Sequence, residues 1–331
     1  MKLSICIPTY NRAQVLKQCL DSILVSLRGH EWIEICVSDN ASLDDTVEVI
    51  ESYQAKLPIT FSSNNENIGL ARNVLEVTKL AKGDFIWLVG DDDYLMPDAL
   101  DRLYEIMHDR SHKDIKFFYN NAFTVGSMDE ILAKGGDFNS FNLTEVLCRS
   151  ENKKIEFLEL IDHKISWDFL GGMFMSIFHA DSWRSGLVNI DQEQLFKPGT
   201  FSSLENTFIH LKIFPYAFRD SKAFINYNPI IIATSDSREW SSYWYLVYSR
   251  WLIAALEEYR KNGLGFWQYI RNKNKISEKF FPYFVMMLWH KKKYSLSWKD
   301  LINILAKNCL YPNAYLSIFY SIYYSIRKLK T

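Results

Sequence analysis

The first 120 residues alternate between short apolar, β-branched runs and stretches with helical periodicity, and this alternation constrains the fold most. "KLSICIP" (2–8) reads as a buried strand. Asn11 follows as an expected N-cap, whose side chain would accept from a free backbone N–H. Val15, Leu16, Cys19, Leu20, Ile23, Leu24 and Leu27 then recur at helical spacing. "IEICVSD" (33–39) predicts a second strand, and Ser42 with Asp45 an S-x-x-D capping pattern ahead of a second helix. "PITFSS", "NIGLARNVLEVTKLA" and "DFIWLV" continue as strand, helix and strand. Pro97 suits the first turn of another helix, and "IKFFY" (115–119) is a further strand. Such an order predicts an α/β fold with a mostly parallel, Rossmann-like, doubly wound sheet and helices on both faces.

In sheets of this kind ligands bind at the carboxyl ends of the strands. Those ends are polar here: Pro8-Thr9-Tyr10-Asn11-Arg12, Ser38-Asp39-Asn40 and Gly90-Asp91-Asp92-Asp93. Adjacent carboxylates repel one another and, unpaired, take up protons. A hard divalent cation, Mg²⁺ or Mn²⁺, relieves the repulsion using one or two carboxylates and leaves its other positions to water and substrate phosphates. Gly90 would let the backbone turn and a ligand come close. The plainer alternative is that the aspartates cap the next helix or face water.

Composition divides the chain. Residues 1–240 carry 23 Lys and Arg against 35 Asp and Glu, whereas residues 241–331 carry 15 against 4 and hold 22 of the 51 aromatics. We therefore expect a boundary near residue 240, between an α/β domain over 1–240 and a helical, basic, aromatic-rich region over 241–331. Five scattered cysteines without a CxxC pair fit reduced thiols in a cytoplasmic protein, not a disulfide frame or zinc site. The N-terminal apolar run is too short for a signal peptide, and "FFPYFVMMLW" (280–289) is half the ~20 residues a span needs. Secretion and membrane crossing are both unexpected.

"LSICIPTYNRAQVLKQCLDSIL", "ICVSDNASLDDTVEVI" and "NENIGLARNVLEVTKLAKGDFIWLVGDDDYLMPDAL" together resemble the successive nucleotide-binding segments of family 2 glycosyltransferases with the GT-A fold. The likeness covers residues 3–107 and weakens beyond. It implies that Pro8, Thr9 and Tyr10 line the base and ribose, with Arg12 near the phosphates. It implies that Asp39, beside Asn40, meets the base, and that Gly69, Arg72 and Asn73 flank the diphosphate and sugar. The family's D-x-D-D becomes Gly90-Asp91-Asp92-Asp93 here, so Asp91 would stand in at the ribose, while Asp92 and then Asp93 would bind metal.

The implied reaction moves a sugar from a nucleotide-diphosphate-sugar donor to an acceptor hydroxyl, with the cation neutralising the diphosphate leaving group. The family's base lies in an "ED"-like pair; "SSLENTFIHLKIF" supplies Glu205, with Asn206 in the second place. Ser202 and Glu205 alternatively form a capping box. Asp168 in "SWDFLGGMFMSIF" is the second candidate base, with Trp167 to stack on an acceptor sugar and Gly171 and Gly172 to allow its approach. Arg238 and Trp240 fall where some relatives close a loop over the donor. His179 and His210 read as structural.

"WSSYWYLVYSRWLIAALEEYR", "MMLWHKKK" and "NAYLSIFYSIYYSIRKLK" suit contact with the membrane interface better than nucleic acid, because no stacking module accompanies the basic aromatic composition. Packing as a bundle on the catalytic domain is the alternative. Peripheral attachment at the inner face of the cytoplasmic membrane would suit a saccharide acceptor, especially a lipid-linked one, as in bacterial O-antigen and lipopolysaccharide synthesis. The size and the "WLVGDDD" form resemble transferases that add a dideoxyhexose such as abequose, which implies a CDP-linked donor. Two rivals remain: a nucleotidyltransferase, which would want a Gly-rich loop where "PTYNRAQVL" has none, and a non-catalytic nucleotide- or metal-binding module.

Overall fold

A computed structural model of the chain describes residues 1–125, 143–148, 150–170, 172–199, 201–234 and 242–319. Gly171, Arg238, Trp240 and the tail from residue 320 lie outside the described residues. The chain separates into two compact units: Met1–Leu160 with Lys164–Ser237, and Ile161–His163 with Arg238–Thr331.

The first unit is built on one mixed sheet. Its strands are β1 (Leu3–Thr9), β2 (Ile33–Asp39), β3 (Ile59–Ser63), β4 (Phe85–Leu88), β5 (Asp93–Leu95), β6 (Ile115–Val125), β7 (Thr144–Glu145), β8 (Lys153–Glu156), β9 (Ser176–His179) and β10 (Lys222–Thr234). The main path runs β3-β2-β1-β4-β9-β6-β10-β5. β1 pairs in parallel with β2 and β4, and β2 with β3. Every residue of β1 is buried, as expected of a continuous apolar run with both faces covered. Beyond β4 the pairing is mixed: β9 runs antiparallel to both β4 and β6, β10 runs parallel to β6, and β5 runs antiparallel to β10.

The helices α1 (Ala13–Leu27), α2 (Thr46–Tyr53), α3 (Leu70–Leu80) and α4 (Ala99–His108) alternate with these strands. α3 packs on β1 and β2, while α1 packs against α2, α4 and β5. The helix starts differ from expectation. Asn11 is not the N-cap of α1; it adopts a left-handed φ of 50°, and its Oδ1 accepts from Leu43 N at 2.6 Å. A short amide side chain tolerates that conformation. Asp44 of the next loop takes the capping role in trans, accepting from Ala13 N at 2.9 Å. The Ser42–Asp45 capping pattern does not form either, because Ser42 Oγ serves Asp39 and the Asn11 N–H instead. Pro97 precedes the Asp98 cap of α4 and so lies just outside the helix. Further on, α5 (Ala180–Gly186) follows β9, and α6 (Ile209–Ala217) precedes β10.

The described part of the second unit is helical, with α7 (Leu252–Lys261), α8 (Phe266–Ile276), α9 (Phe280–Trp289) and α10 (Trp298–Asn308) as its main elements. Residues Ile161–His163 are held within it: Gln268 Nε2 donates to Ile161 O at 3.0 Å, and His163 N donates to Asn272 Oδ1 at 3.1 Å. All five cysteines are free thiols. No helix among the described residues is long and apolar enough to cross a membrane.

Candidate active site

Two polar clusters meet at Thr9, the last residue of β1. In the first, Thr9 Oγ1 donates to Asp91 Oδ2 at 2.8 Å. The Arg12 guanidinium bridges two carboxylates, with Nη1 2.5 Å from Asp91 Oδ1 and Nη2 3.1 Å from Asp92 Oδ2. Burial opposes the Arg12 charge, but Asp91 and Asp92 outweigh it and raise its pKa. Burial lifts the Asp91 carboxyl to about 7, with Arg12 pulling it down and Asp92 pushing it up. One guanidinium shared between two buried acids thus leaves Asp91 poorly compensated. Beneath the loop, burial and all three aspartates hold the Cys19 thiol far above its usual range.

Asp93 turns inward. Its Oδ2 accepts from Gly90 N at 2.9 Å, and the residue begins β5, pinned to β10 through the Asp93–Ala233 pair. Thr234 Oγ1 donates to Asp92 O at 3.3 Å and fixes the same loop. Gly90 leaves room for two neighbouring carboxylates. A Cβ there would lie 2.8 Å from Asp93 Oδ2 and 2.9 Å from Asp92 Oδ1. The gap expected to admit a ligand is filled by the loop's own carboxylates. This also accounts for glycine where an acid was expected, since a side chain would displace both groups.

The second cluster is a network of amides that locks strand ends to α3. Asn73, 2% exposed, donates through Nδ2 to Ser38 O at 3.0 Å and Thr9 O at 3.3 Å. Its Oδ1 accepts from Ser38 Oγ at 2.7 Å and Asn64 Nδ2 at 3.0 Å. Asn40 donates to Asn67 Oδ1 at 2.8 Å and accepts from Ile68 N at 3.0 Å. Gly69, at the N-terminus of α3, has φ +85°, a conformation that favours glycine, and the space around it is open. Asp39 is buried, and its Oδ1 accepts from Ser42 Oγ at 2.5 Å. Asn64 and Asn67 were not singled out from sequence; their signal was an asparagine-rich run ahead of a glycine.

The remaining candidates are spread over the unit. Pro8 is buried and Tyr10 partly exposed at the end of β1. Arg72 stacks on Phe196, its guanidinium 4.8 Å from the ring centroid, and Phe196 is 58% exposed. The sequence signal for Phe196 was one aromatic within the polar stretch "DQEQLFKPGT". Glu205 is buried in a turn before α6, with Lys212 Nζ 3.5 Å from its Oε1. The Ser202–Glu205 capping box is absent, since Ser202 Oγ donates to Lys197 O. Trp167 is 46% exposed, and its Nε1 donates to Glu145 O at 3.2 Å. Asp168 is half-buried, its carbonyl accepting from Tyr119 Oη at 3.2 Å. Gly172 lies against Met175: a Cβ would meet the sulfur at 2.7 Å. His179 has the structural role expected of it, its Nδ1 accepting from Ser182 N at the start of α5.

No group of three or more His, Cys, Asp or Glu among the described residues forms a ready metal cage. The donor set fits a different arrangement. Asp92, with 12% of its side chain exposed, presents a hard carboxylate beside under-compensated negative charge. That suits a cation which keeps water and phosphate as its other ligands.

The mixed α/β sheet, with polar groups gathered at the ends of β1, β2 and β4, has the architecture of the GT-A fold. Residues 4–125 match the model described as "Glycosyl transferase family 2". Over 102 residues it is 44% identical to the abequosyltransferase RfbV of Salmonella typhimurium, covering 30% of this chain and 31% of that protein. Over 161 residues it is 30% identical to the poly(ribitol-phosphate) beta-glucosyltransferase of Bacillus spizizenii, covering 47% and 24%. The matches thus span a third or less of these two relatives. Among solved structures, residues 1–349 of TarS from S. aureus in complex with UDP superpose with a TM-score of 0.57 at 16% identity, covering 93% of this chain and 80% of that one. The mannosyltransferase PcManGT from Pyrobaculum calidifontis, in complex with GDP-Man and Mn²⁺, gives 0.53 at 14% identity, covering 96% and 83%. These likenesses show the GT-A fold.

Proposed function

We propose that the protein transfers a sugar from a nucleotide-diphosphate-sugar donor to an acceptor hydroxyl. The observation that carries this reading is the Thr9–Asp91–Arg12–Asp92 cluster at the ends of β1 and β4. Asp92 would hold a divalent cation, Mg²⁺ or Mn²⁺, which when bound supplies positive charge against the diphosphate leaving group. Asp93 keeps the loop closed through Gly90 N, and Asp91 fixes Arg12. The open N-terminus of α3 at Gly69 offers backbone N–H groups to a phosphate. The nucleoside lies along Pro8, Tyr10 and Asp39, with Arg72 at the sugar side.

In the reaction the acceptor oxygen bonds to the anomeric carbon as the bond from that carbon to the diphosphate oxygen breaks. The acceptor proton passes to a carboxylate. Glu205 is our choice for that base and Asp168 the second choice; the exposed Trp167 face is suited to stacking on an acceptor sugar. The relation to an abequosyltransferase favours a CDP-linked dideoxyhexose as donor and a lipid-linked saccharide of O-antigen synthesis as acceptor.

The test is a thermal-shift panel of UDP, CDP, GDP and dTDP, each with and without Mn²⁺, on wild type and Asp92→Ala. Ligands that bind only the folded state raise the melting temperature. Stabilisation by one nucleotide, dependent on metal and absent in the variant, supports the reading and names the base. No metal-dependent shift with any of the four removes the metal and donor assignments together.

A further inference from the structure

Among its described residues, the second unit carries an apolar surface that the buried side chains of its helices leave uncovered. Helix α9 contains no charged residue. Phe280 and Met287 are buried, whereas Val285, Leu288 and Trp289 stand 58%, 39% and 83% exposed. Their spacing of three and four residues puts them on one stripe. Helix α10 repeats the pattern: Leu301 and Ile304 are buried, while Trp298 and Ile302, one turn apart, are 65% and 64% exposed. Lys291 Nζ sits 4.0 Å from the Trp298 ring centroid and so joins the end of one stripe to the start of the other.

The charges around this surface are one-sided. Each acidic residue between 242 and 319 is satisfied inside the unit. Glu257 pairs with Lys307 at 2.6 Å, Glu258 with Lys261 at 2.7 Å, Glu278 with Lys275 at 2.7 Å and Asp300 with Arg250 at 3.2 Å. Lys291, Lys292 and Lys293 follow α9 after its cap His290, and Lys299 follows Trp298. Exposed tryptophans and aliphatics bordered by lysines, without a competing carboxylate, match the two layers of an anionic bilayer surface. The apolar groups enter the acyl boundary, and the lysines reach the lipid phosphates. A two-fold contact with a second copy would instead bring the lysine cluster towards itself.

We propose that α9 and α10 form a docking surface for anionic membrane, anchored by Trp289 and Trp298 and collared by Lys291–Lys293. On the reading above, this would hold the enzyme where a lipid-linked acceptor is presented. The docking itself needs neither nucleotide nor turnover, so the two can fail separately.

The test is co-sedimentation of the full chain with phosphatidylcholine vesicles, with and without phosphatidylglycerol. Wild type should pellet with the anionic vesicles and less as salt rises. Changing Lys291, Lys292 and Lys293 together to Gln should weaken binding roughly 5-fold per lysine, on the order of 100-fold in all. The pair Trp289→Ser and Trp298→Ser should weaken it at high salt as well. The same charge change at exposed Lys56, Lys79 and Lys113 of the first unit should leave binding intact. The proposal is overturned if wild type stays in the supernatant, or if the control triple loses as much. It also falls if sedimentation velocity shows a dimer that the tryptophan variants abolish while vesicle binding persists.

Discussion

Arg12 and Asp91, 79 residues apart in sequence, meet at 2.5 Å with the aspartate nearly buried. The pair joins the residue entering α1 to the loop after β4. Arg12→Met should therefore act on the whole loop and not on one contact. Removing the cation leaves a buried carboxylate, a loss of about 3–5 kcal/mol for such pairs. Arg12→Lys should recover part of this, since an ammonium cannot fork across Asp91 and Asp92 together. Urea unfolding of the three proteins checks the order wild type, Lys, Met; an unchanged midpoint for Met would contradict the pairing.

Asp92→Asn and Asp91→Asn should separate function from scaffold. Loss of the Asp92 charge should cost on the order of 10²–10³ in kcat, typical of one transition-state charge partner, with little change in stability. Asp91→Asn should instead lower stability by about 1–3 kcal/mol, because the carboxylate accepts from both Thr9 Oγ1 and Arg12 Nη1 and an amide keeps only one of those acceptors. Paired turnover and denaturation measurements decide it; two variants with the same profile would refute the division.

Gly90→Ala should be harmful although alanine is small. Its Cβ would lie within 3 Å of both the Asp92 and Asp93 carboxylates. Overpacking of this kind costs about 1–3 kcal/mol. Metal-dependent nucleotide binding should weaken with it, as isothermal titration would register. Full binding in the alanine variant would mean that the loop has room to spare.

Asn73→Asp should be worse than Asn73→Ala. The amide donates to the carbonyls of Thr9 and Ser38, and a carboxylate would set acceptor against acceptor. Each buried partner left unmatched costs about 1–3 kcal/mol. Melting temperatures ranked wild type, Ala, Asp are the expected result.

His179 gives the fold a pH dependence. Burial, aided by Lys116, lowers its pKa below the ordinary 6.5. The unfolded chain then binds the proton more readily than the folded one. Stability should fall as pH drops below 6.5 towards the depressed folded value, because protonation removes the acceptor that caps α5. His179→Asn keeps a capping oxygen without the titration, so it should lack this component when urea midpoints at pH 7.5 and 5.5 are compared.

Much of the first unit is readable along the chain because its signals are local. A strand such as "LSICIP" buries both faces, and α1 shows its apolar stripe at helical spacing. Three polar strand ends were visible for the same reason. Other features depend on partners far away. Asn11 reads as a cap until Asp44, 31 residues beyond Ala13, takes that place. β9 is four residues long, and its antiparallel seat between β4 and β6 comes from segments about 60 to 90 positions away.

Sequence by itself determined the alternation, the acidic strand end and the basic, aromatic composition of the last 90 residues, since each is written in residue type and spacing. Tertiary structure alone decided how the three aspartates divide their roles. Asp91 faces Arg12, Asp92 keeps an exposed edge and Asp93 turns back to Gly90. Identical side chains in a row carry the same local signal. Which of them is desolvated, paired or left accessible depends on groups that only the folded backbone brings within hydrogen-bond reach.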